Sequence, residues 1–316
     1  MINLIRNENM KLARRISTWI MVGILILIII VTGLIFRFAI NHGTNTEWKA
    51  DLIQQNKDDL ETANMQGLPK NTKETILNQI KVNEYSIQHD IQPVQNNTLW
   101  GFVKVSSNSI MLISLFAIII GGGIVANEFS GGTIKLLLIR PSKRWKILVS
   151  KYITVILYVI FMLILTFILS FLLGGILFSF KGVSQPFLKY TPEGVVEVNM
   201  VAHIIEVYGL KCINLIMMVT LAFTISTAFR NSAMAIGIGV FLLTVGSTVT
   251  NLIAQFFTWT WPKYILFANT DLTQYSTGTP LIAGMTMNFS IVVILIYFVI
   301  FNVISFLGFT KRDVAA

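Results

Sequence analysis

The chain has 316 residues, of which 54% are hydrophobic and only 12% are charged. Because soluble domains carry about 25% charged residues, this composition predicts a membrane protein. The net charge of +9 does not indicate a nucleic-acid partner, since the basic residues flank long apolar segments, as membrane anchors do. The single cysteine, Cys212, excludes an intrachain disulfide and a Cys/His metal cluster.

Long apolar segments predict six membrane-spanning helices, because crossing the hydrocarbon layer takes about 20 apolar residues. The predicted spans run over residues 16–36, 109–126, 152–178, 213–229, 233–253 and 289–309. The first is too long for a signal-peptide core of about 7–15 residues, so we interpret it as a retained span. The predicted fold is therefore all-α and polytopic, with an N-terminal segment (1–15) and a transmembrane domain (16–316).

In the N-terminal segment, apolar residues recur at near-helical spacing among four basic residues. This pattern predicts a helix that lies in the membrane interface. A plain extension without helical structure is the alternative.

The distribution of Lys and Arg predicts the orientation of the chain. The N-terminal segment, the loop at 127–151, the turn at Arg230 and the C-terminus together carry 13 basic and three acidic residues. Since basic loops stay in the cytoplasm, we predict a multi-pass plasma-membrane protein with both termini cytoplasmic. An even number of spans agrees with this orientation.

The polar segment 41–104 is predicted to be an extracytoplasmic loop with two helices. One covers 47–65, and the next begins at Asn71, with Glu74 placed for a capping box. The second helix has an apolar face, which we expect to pack on the first helix or on a neighbouring subunit.

The sequence lacks the residues that several chemical functions require. The predicted spans contain almost no ionisable residue, which argues against an ion-coupled transporter. The sequence has neither a His-Glu-x-x-His motif nor a phosphate-binding Gly-x-x-x-x-Gly-Lys-Ser/Thr loop. If ATP drives the protein, another chain must bind it. The three histidines, His42, His89 and His203, are predicted to be surface residues.

A glycine run and an aromatic segment are associated with the predicted spans. Gly121-Gly122-Gly123 lies within the second predicted span and favours close helix packing or local unwinding. The aromatic segment 256–264 is typical of a membrane–water interface and predicts an interfacial or re-entrant helix.

Three segments resemble the permease subunit of ABC-2 type ABC transporters. They are the N-terminal Asn7–Arg15 followed by Trp19, the loop from Glu128 to Lys135 with Arg140-Pro141 and Lys151, and the ending Phe309–Asp313. Together with the six-span plan, the resemblance covers essentially the whole chain.

The resemblance implies that this chain forms the membrane pathway while a separate P-loop ATPase subunit binds ATP and Mg and hydrolyses ATP. It also implies a second permease chain, identical or different, and a cytoplasmic coupling loop at 127–151 that docks on the ATPase. The implied coupling residues are Glu128, Phe129, Ser130, Gly131, Gly132, Thr133, Ile134 and Lys135. From the residues themselves, we expect Glu128 to begin a helix, where the dipole favours an acid, and Gly131-Gly132 to permit close backbone approach. A basic loop that only sets topology is the alternative.

We therefore expect a non-enzymatic transport subunit, with no catalytic, cofactor-binding or metal-binding residues of its own. The resemblance favours export of a peptide, an antibiotic or another amphipathic small molecule, by analogy only. The alternatives are a membrane sensor or assembly scaffold that uses the outer loop, and a channel.

Overall fold

The fold is described from a computed structural model. It covers residues 1–39, 47–68, 70–132, 142–180, 183–191, 193–229, 231–256, 261–276, 280–282 and 284–310.

Helices account for most of the described residues. They are α1 (Ile2–Ala13), α2 (Ile16–Leu34), α3 (Trp48–Ala63), α4 (Lys70–His89), α5 (Leu99–Ser106), α6 (Ile110–Ser130), α7 (Arg144–Phe178), α8 (Met200–Phe229), α9 (Ser232–Phe256), α10 (Leu266–Asn269) and α11 (Met287–Thr310). A π-helical turn, Ile35–Ala39, extends α2, and 3₁₀ turns lie at Ser107–Ser109, Trp261–Tyr264 and Leu272–Tyr275. The strands β1 (Phe187–Thr191) and β2 (Gly194–Val198) form an antiparallel hairpin in which Phe187 pairs with Val198.

Six helices among the described residues are long and apolar enough to cross a membrane. They are α2 with its π turn, the continuous α5–α6 unit, α7, α8, α9 and α11. Large apolar side chains such as Leu27, Ile176 and Val299 are exposed on the outside of the bundle, where lipid would cover them. The prediction of an all-α polytopic membrane protein with six spans is confirmed.

Three spanning helices begin earlier than predicted. They start at Leu99, Arg144 and Met200, whereas the predicted starts were 109, 152 and 213. The predicted boundaries stopped at polar and charged residues such as Lys104 and Lys151, but these side chains lie within continuous helix. Carboxylates of neighbouring helices compensate Lys151, and the ammonium group of Lys104 lies over the Phe187 ring of β1.

The centre of the bundle is formed by α6 and α8, which are the most buried spans. The glycine run of α6 permits this packing: a Cβ on Gly122 would lie 3.1 Å from Cγ1 of Ile236 in α9. A Cβ on Gly121 would lie 3.6 Å from the carbonyl oxygen of Val219 in α8. Since α6 is continuous through these residues, close packing is confirmed and local unwinding is not observed.

The bundle has two ends. The terminal face carries α1, the end of α6, the start of α7 and the end of α11, which approach one another through Lys151 contacts with Glu8 and Glu128 and through the rings of Phe129 and Phe309. The opposite end, the loop face, carries α3, α4 and the β-hairpin.

The α3–α4 pair confirms the two predicted helices of the long loop. Leu52 and Ile80 are buried between them, and Asn83 donates a hydrogen bond to Asn56 at 2.8 Å. The apolar face of α4 therefore packs on its partner helix within the same chain. The β-hairpin beside α4 was not predicted.

The aromatic segment 256–264 is only partly described. Residues 257–260 lie outside the described part of the chain, and Trp261–Tyr264 forms a short 3₁₀ turn. The prediction of an interfacial or re-entrant helix falls partly outside the described residues and stays a prediction.

Candidate functional sites at the two faces

A buried ionic cluster joins three segments at the terminal face. Nζ of Lys151 donates to Oε2 of Glu8 at 2.8 Å and to Oε1 of Glu128 at 2.5 Å. Lys11 adds a second ammonium group, with Nζ 2.7 Å from Oε1 of Glu8 and 3.8 Å from Oε1 of Glu128. The side chain of Lys151 is only 1% exposed, so its charge is compensated by carboxylates rather than by water.

The electrostatics of this cluster favour the ionised form of Glu8. Burial alone would raise the pKa of Glu8, but the charge of Lys151 and hydrogen bonds from Lys11 and Lys151 outweigh burial and lower it. A buried pair of this kind does not by itself prove stability, because desolvation offsets much of the attraction. Its removal is costly, however, since an unpaired buried charge costs about 3–5 kcal/mol.

The position of Lys151 follows from the helical pattern of α7. The buried residues Ile147, Leu148 and Val155 lie three or four positions away, so Lys151 is on the same inward face. This periodicity was the signal that sequence reasoning missed, because the lysine was interpreted as the end of a loop.

Glu128 does not begin a helix as predicted. It lies in the last turn of α6, which ends at Ser130. The helix dipole disfavours an acid there, and Lys151 and Lys11 supply the compensating charge. The prediction of a dipole-stabilised helix start is therefore wrong, and a pairing with two lysines replaces it.

Gly131 and Gly132 end α6. Gly132 has a φ of +68°, which L side chains rarely adopt, and its amide donates to the carbonyl oxygen of Phe129 at 3.2 Å. A Cβ on Gly132 would meet nothing within 4 Å in the described chain. Its local role is thus to terminate the helix, and no described atom crowds the position.

Of the remaining predicted coupling residues, one makes a ring contact, one is exposed, and three lie outside the described residues. The Phe129 ring lies edge-on to that of Phe309, with centroids 6.2 Å apart, and Ser130 is exposed. Thr133, Ile134 and Lys135 lie outside the described residues. The structure therefore places the first five predicted residues at the end of α6, where Ser130, Gly131 and Gly132 are exposed.

A polar cavity of about 410 Å³ lies at the loop face, between α4, β1 and the ends of α5 and α8. Lys104, Lys189, Lys211 and His203 line it. The prediction that His203 is a surface residue is wrong, since it is only 4% exposed and stacks on Phe187 with ring centroids 3.6 Å apart. The missed signal is again periodicity, because buried residues of α8 flank His203 at helical spacing.

Lys211 separates this cavity from a neighbouring one of about 540 Å³, which it also lines. Its ammonium group donates to the carbonyl oxygen and hydroxyl of Ser107 at 3.1 and 2.8 Å, and to Oδ1 of Asn108 at 3.2 Å. These contacts fix the junction of α5 and α6 to α8. In the described ranges, no group of three His, Cys, Asp or Glu side chains could hold a metal ion.

The fold and these sites define a polytopic, all-α membrane protein. A family model described as "Protein of unknown function (DUF2705)" matches residues 63–315. The chain is 46% identical to "Uncharacterized protein YhcI" of Bacillus subtilis (strain 168) over the full length of both chains. It is also 35% identical to "Uncharacterized membrane protein YdbK" of the same organism, over 68% of this chain and 82% of that protein.

The chain belongs to the DUF2705 family. The name of the second relative agrees with the membrane character that the six apolar helices give this chain.

Proposed function

We propose that this protein is the membrane-spanning permease subunit of an ATP-driven transporter of the ABC-2 type. In this proposal the terminal face is cytoplasmic, the protein lies in the plasma membrane, and a separate P-loop ATPase subunit binds ATP and Mg. A second permease chain, identical or different, completes the pathway. Lipid surrounds the bundle, and nucleic acid is not a partner.

One observation carries the proposal: the described parts of the three segments that resemble the permease family meet at one end of the bundle, through buried contacts. Glu8 from the N-terminal segment and Glu128 from the loop share Lys151, and Phe309 from the C-terminal segment contacts Phe129. Sequence separation does not require this meeting, since Glu8 and Lys151 are 143 positions apart. A shared contact surface for a soluble subunit explains why similar motifs occur at three distant places.

The cluster also provides a means of transmitting force. A docking surface can drive transport only if it is attached to the spanning helices, and Lys151 ties the end of α6 to the start of α7 and to α1. Movement of the segment after Ser130 would therefore shift three helices together. The direction of transport that the resemblance favours is export, with a peptide, an antibiotic or another amphipathic molecule as substrate.

The proposal is tested by co-expressing the tagged chain with candidate P-loop ATPase subunits of its host. The tagged wild-type chain should retain the ATPase through purification. Gly132→Val should lose it, but Val also disfavours the left-handed conformation that ends α6. Gly132→Asn is the matched control for the backbone, because Asn tolerates this conformation while still adding bulk.

Loss of the ATPase in both variants, at normal membrane levels, supports docking at Gly132. Retention in the Asn variant with loss in the Val variant would assign Gly132 a purely structural role. A wild-type chain that never retains an ATPase would refute the proposal and favour the sensor or scaffold alternative. Substrate flux through the chain without ATP would favour a channel.

A further inference from the structure

The cavity at the loop face has an unbalanced set of charges. Lys104, Lys189 and Lys211 line it, and no carboxylate does so among the residues that the structure describes. Glu206 does not line the cavity, but it accepts a hydrogen bond from Lys189 at 3.2 Å, which compensates one of the three lysines. The ammonium groups of Lys104 and Lys211 lie in a recess where low-dielectric walls strengthen the local potential.

Lys104 is the group best placed to bind a ligand. Its ammonium lies 4.9 Å from the centroid of the Phe187 ring, and no described carboxylate lies within ion-pairing distance of it. Lys211 contributes charge, but its ammonium already donates to Ser107 and Asn108. In the cavity, the ammonium group of Lys104 therefore has open donors, and it lies beside the ammonium group of Lys211, which is held by its hydrogen bonds.

His203 supplies a second, independent observation. In the described structure neither ring nitrogen has a hydrogen-bond partner, although the residue is 4% exposed. The nearest acid is Glu206, at 3.9 Å from Nδ1, which is too long for a hydrogen bond. A buried polar group without a partner is costly, so an unpaired imidazole in a cavity wall indicates a ligand that completes it.

Asp271 is the acid facing the neighbouring cavity. Its Oδ1 accepts hydrogen bonds from the amide and hydroxyl of Thr273. It acts electrostatically on Lys211, which lines both cavities, but it does not line the basic cavity, so Lys104 is the lysine there without a described counter-charge.

We infer that this basic cavity is a binding site for the phosphate group of an organic ligand. Phosphate carries more charge and more acceptor oxygens than a single carboxylate, which matches the ammonium group of Lys104, the neighbouring charge of Lys211 and an imidazole. The volume of about 410 Å³ is in the range of small-molecule pockets and leaves space for an organic moiety. The phosphate is either free in solution or part of a lipid headgroup.

The site is tested by thermal unfolding of the purified full chain in a neutral detergent at constant ionic strength. Inorganic pyrophosphate probes free phosphate, and dioctanoyl phosphatidic acid probes a lipid-borne phosphate. Dioctanoylglycerol and succinate serve as controls without phosphate. A ligand that binds only the folded protein should raise the melting temperature in a saturable way.

Three variants locate the site. Lys104→Gln removes the open ammonium group and should weaken the apparent affinity about tenfold, as expected for a lost charge-assisted contact. His203→Phe keeps the stacking on Phe187 but removes both nitrogens, so it should weaken binding while the ligand-free melting temperature is retained. Lys57→Gln is the matched control, because Lys57 is exposed on α3 and does not line the cavity.

Saturation by pyrophosphate assigns the site to a soluble phosphate, and saturation by phosphatidic acid alone assigns it to a lipid headgroup. Either result, weakened by Lys104→Gln and His203→Phe but not by Lys57→Gln, supports the inference. No saturable response to either phosphate probe would overturn it, and so would equal responses to succinate or equal affinities in all three variants. Because the assay needs no ATPase, its failure is distinguishable from failure of the proposed function.

Discussion

Replacing Lys151 by Met should destabilise the protein through the two carboxylates that it leaves behind. Met fills a similar volume but cannot donate to Glu8 or Glu128, which lie 2.8 and 2.5 Å from the ammonium group. Lys11 remains near both acids, but its side chain is 41% exposed and it lies 3.8 Å from Glu128. Glu128 thereby loses its ion pair with Lys151.

The expected cost is about 3–5 kcal/mol, the range for removing one partner from a buried ion pair. With an unfolding entropy of about 2.1 cal/mol/K per residue, this corresponds to a decrease of roughly 5–8 °C in the melting temperature. The assay is the thermal unfolding of the detergent-solubilised chain, with the folded fraction measured by size-exclusion chromatography after heating.

The matched control is the triple variant Lys151→Met with Glu8→Gln and Glu128→Gln. It removes the charges together, so it should recover most of the lost stability, since neutral replacement of a buried ionic group is often tolerated. If Lys151→Met melts within 1 °C of wild type, or if the triple variant melts no higher than the single one, the electrostatic reasoning is wrong.

Three further predictions address acid stability, packing and topology. Because the folded-state pKa of Glu8 is lowered, its stabilising contribution is present above about pH 4.5 and is lost as the pH falls through the folded pKa. Glu8→Gln should therefore flatten the profile of melting temperature against pH in the acid range, and an unchanged slope would contradict this. Gly122→Ala should destabilise by about 1–3 kcal/mol because α9 must shift, whereas Gly23→Ala, where a Cβ meets nothing within 4 Å, should not; equal melting temperatures would exclude tight packing at this position. With the native cysteine replaced, an impermeant thiol reagent should label a cysteine at exposed Gln55 in whole cells but not one at Ser142, and the reverse pattern would invert the proposed orientation.

The spans and the α3–α4 pair could be predicted because their signals are local. Apolar length identifies a spanning helix, and a recurring apolar face identifies a helix in the polar loop. The same local rules placed the starts of α7 and α8 too late, because they treat Lys151 and His203 as surface residues. Helix formation continues through such residues when neighbouring helices enclose them.

The two candidate sites could not be predicted in full because their partners are distant in the sequence. Glu8 and Lys151 are 143 positions apart in the sequence, and the basic cavity combines residues of α5, β1 and α8. Single-sequence patterns contain no information about such pairings. The family resemblance identified the loop around Glu128, but it did not indicate that this acid pairs with Lys151 at the end of α6.

The most direct test of the central proposal is a site-specific photocrosslink at Ser130, which is exposed at the terminal face. The photoreactive residue is placed there in cells, and an identical one at Gln55 on the loop face serves as the control. We predict a crosslinked product containing a P-loop ATPase, identified by mass spectrometry, from Ser130 and not from Gln55. No ATPase adduct at Ser130, or the same adduct from both positions, would contradict a docking surface at the end of α6.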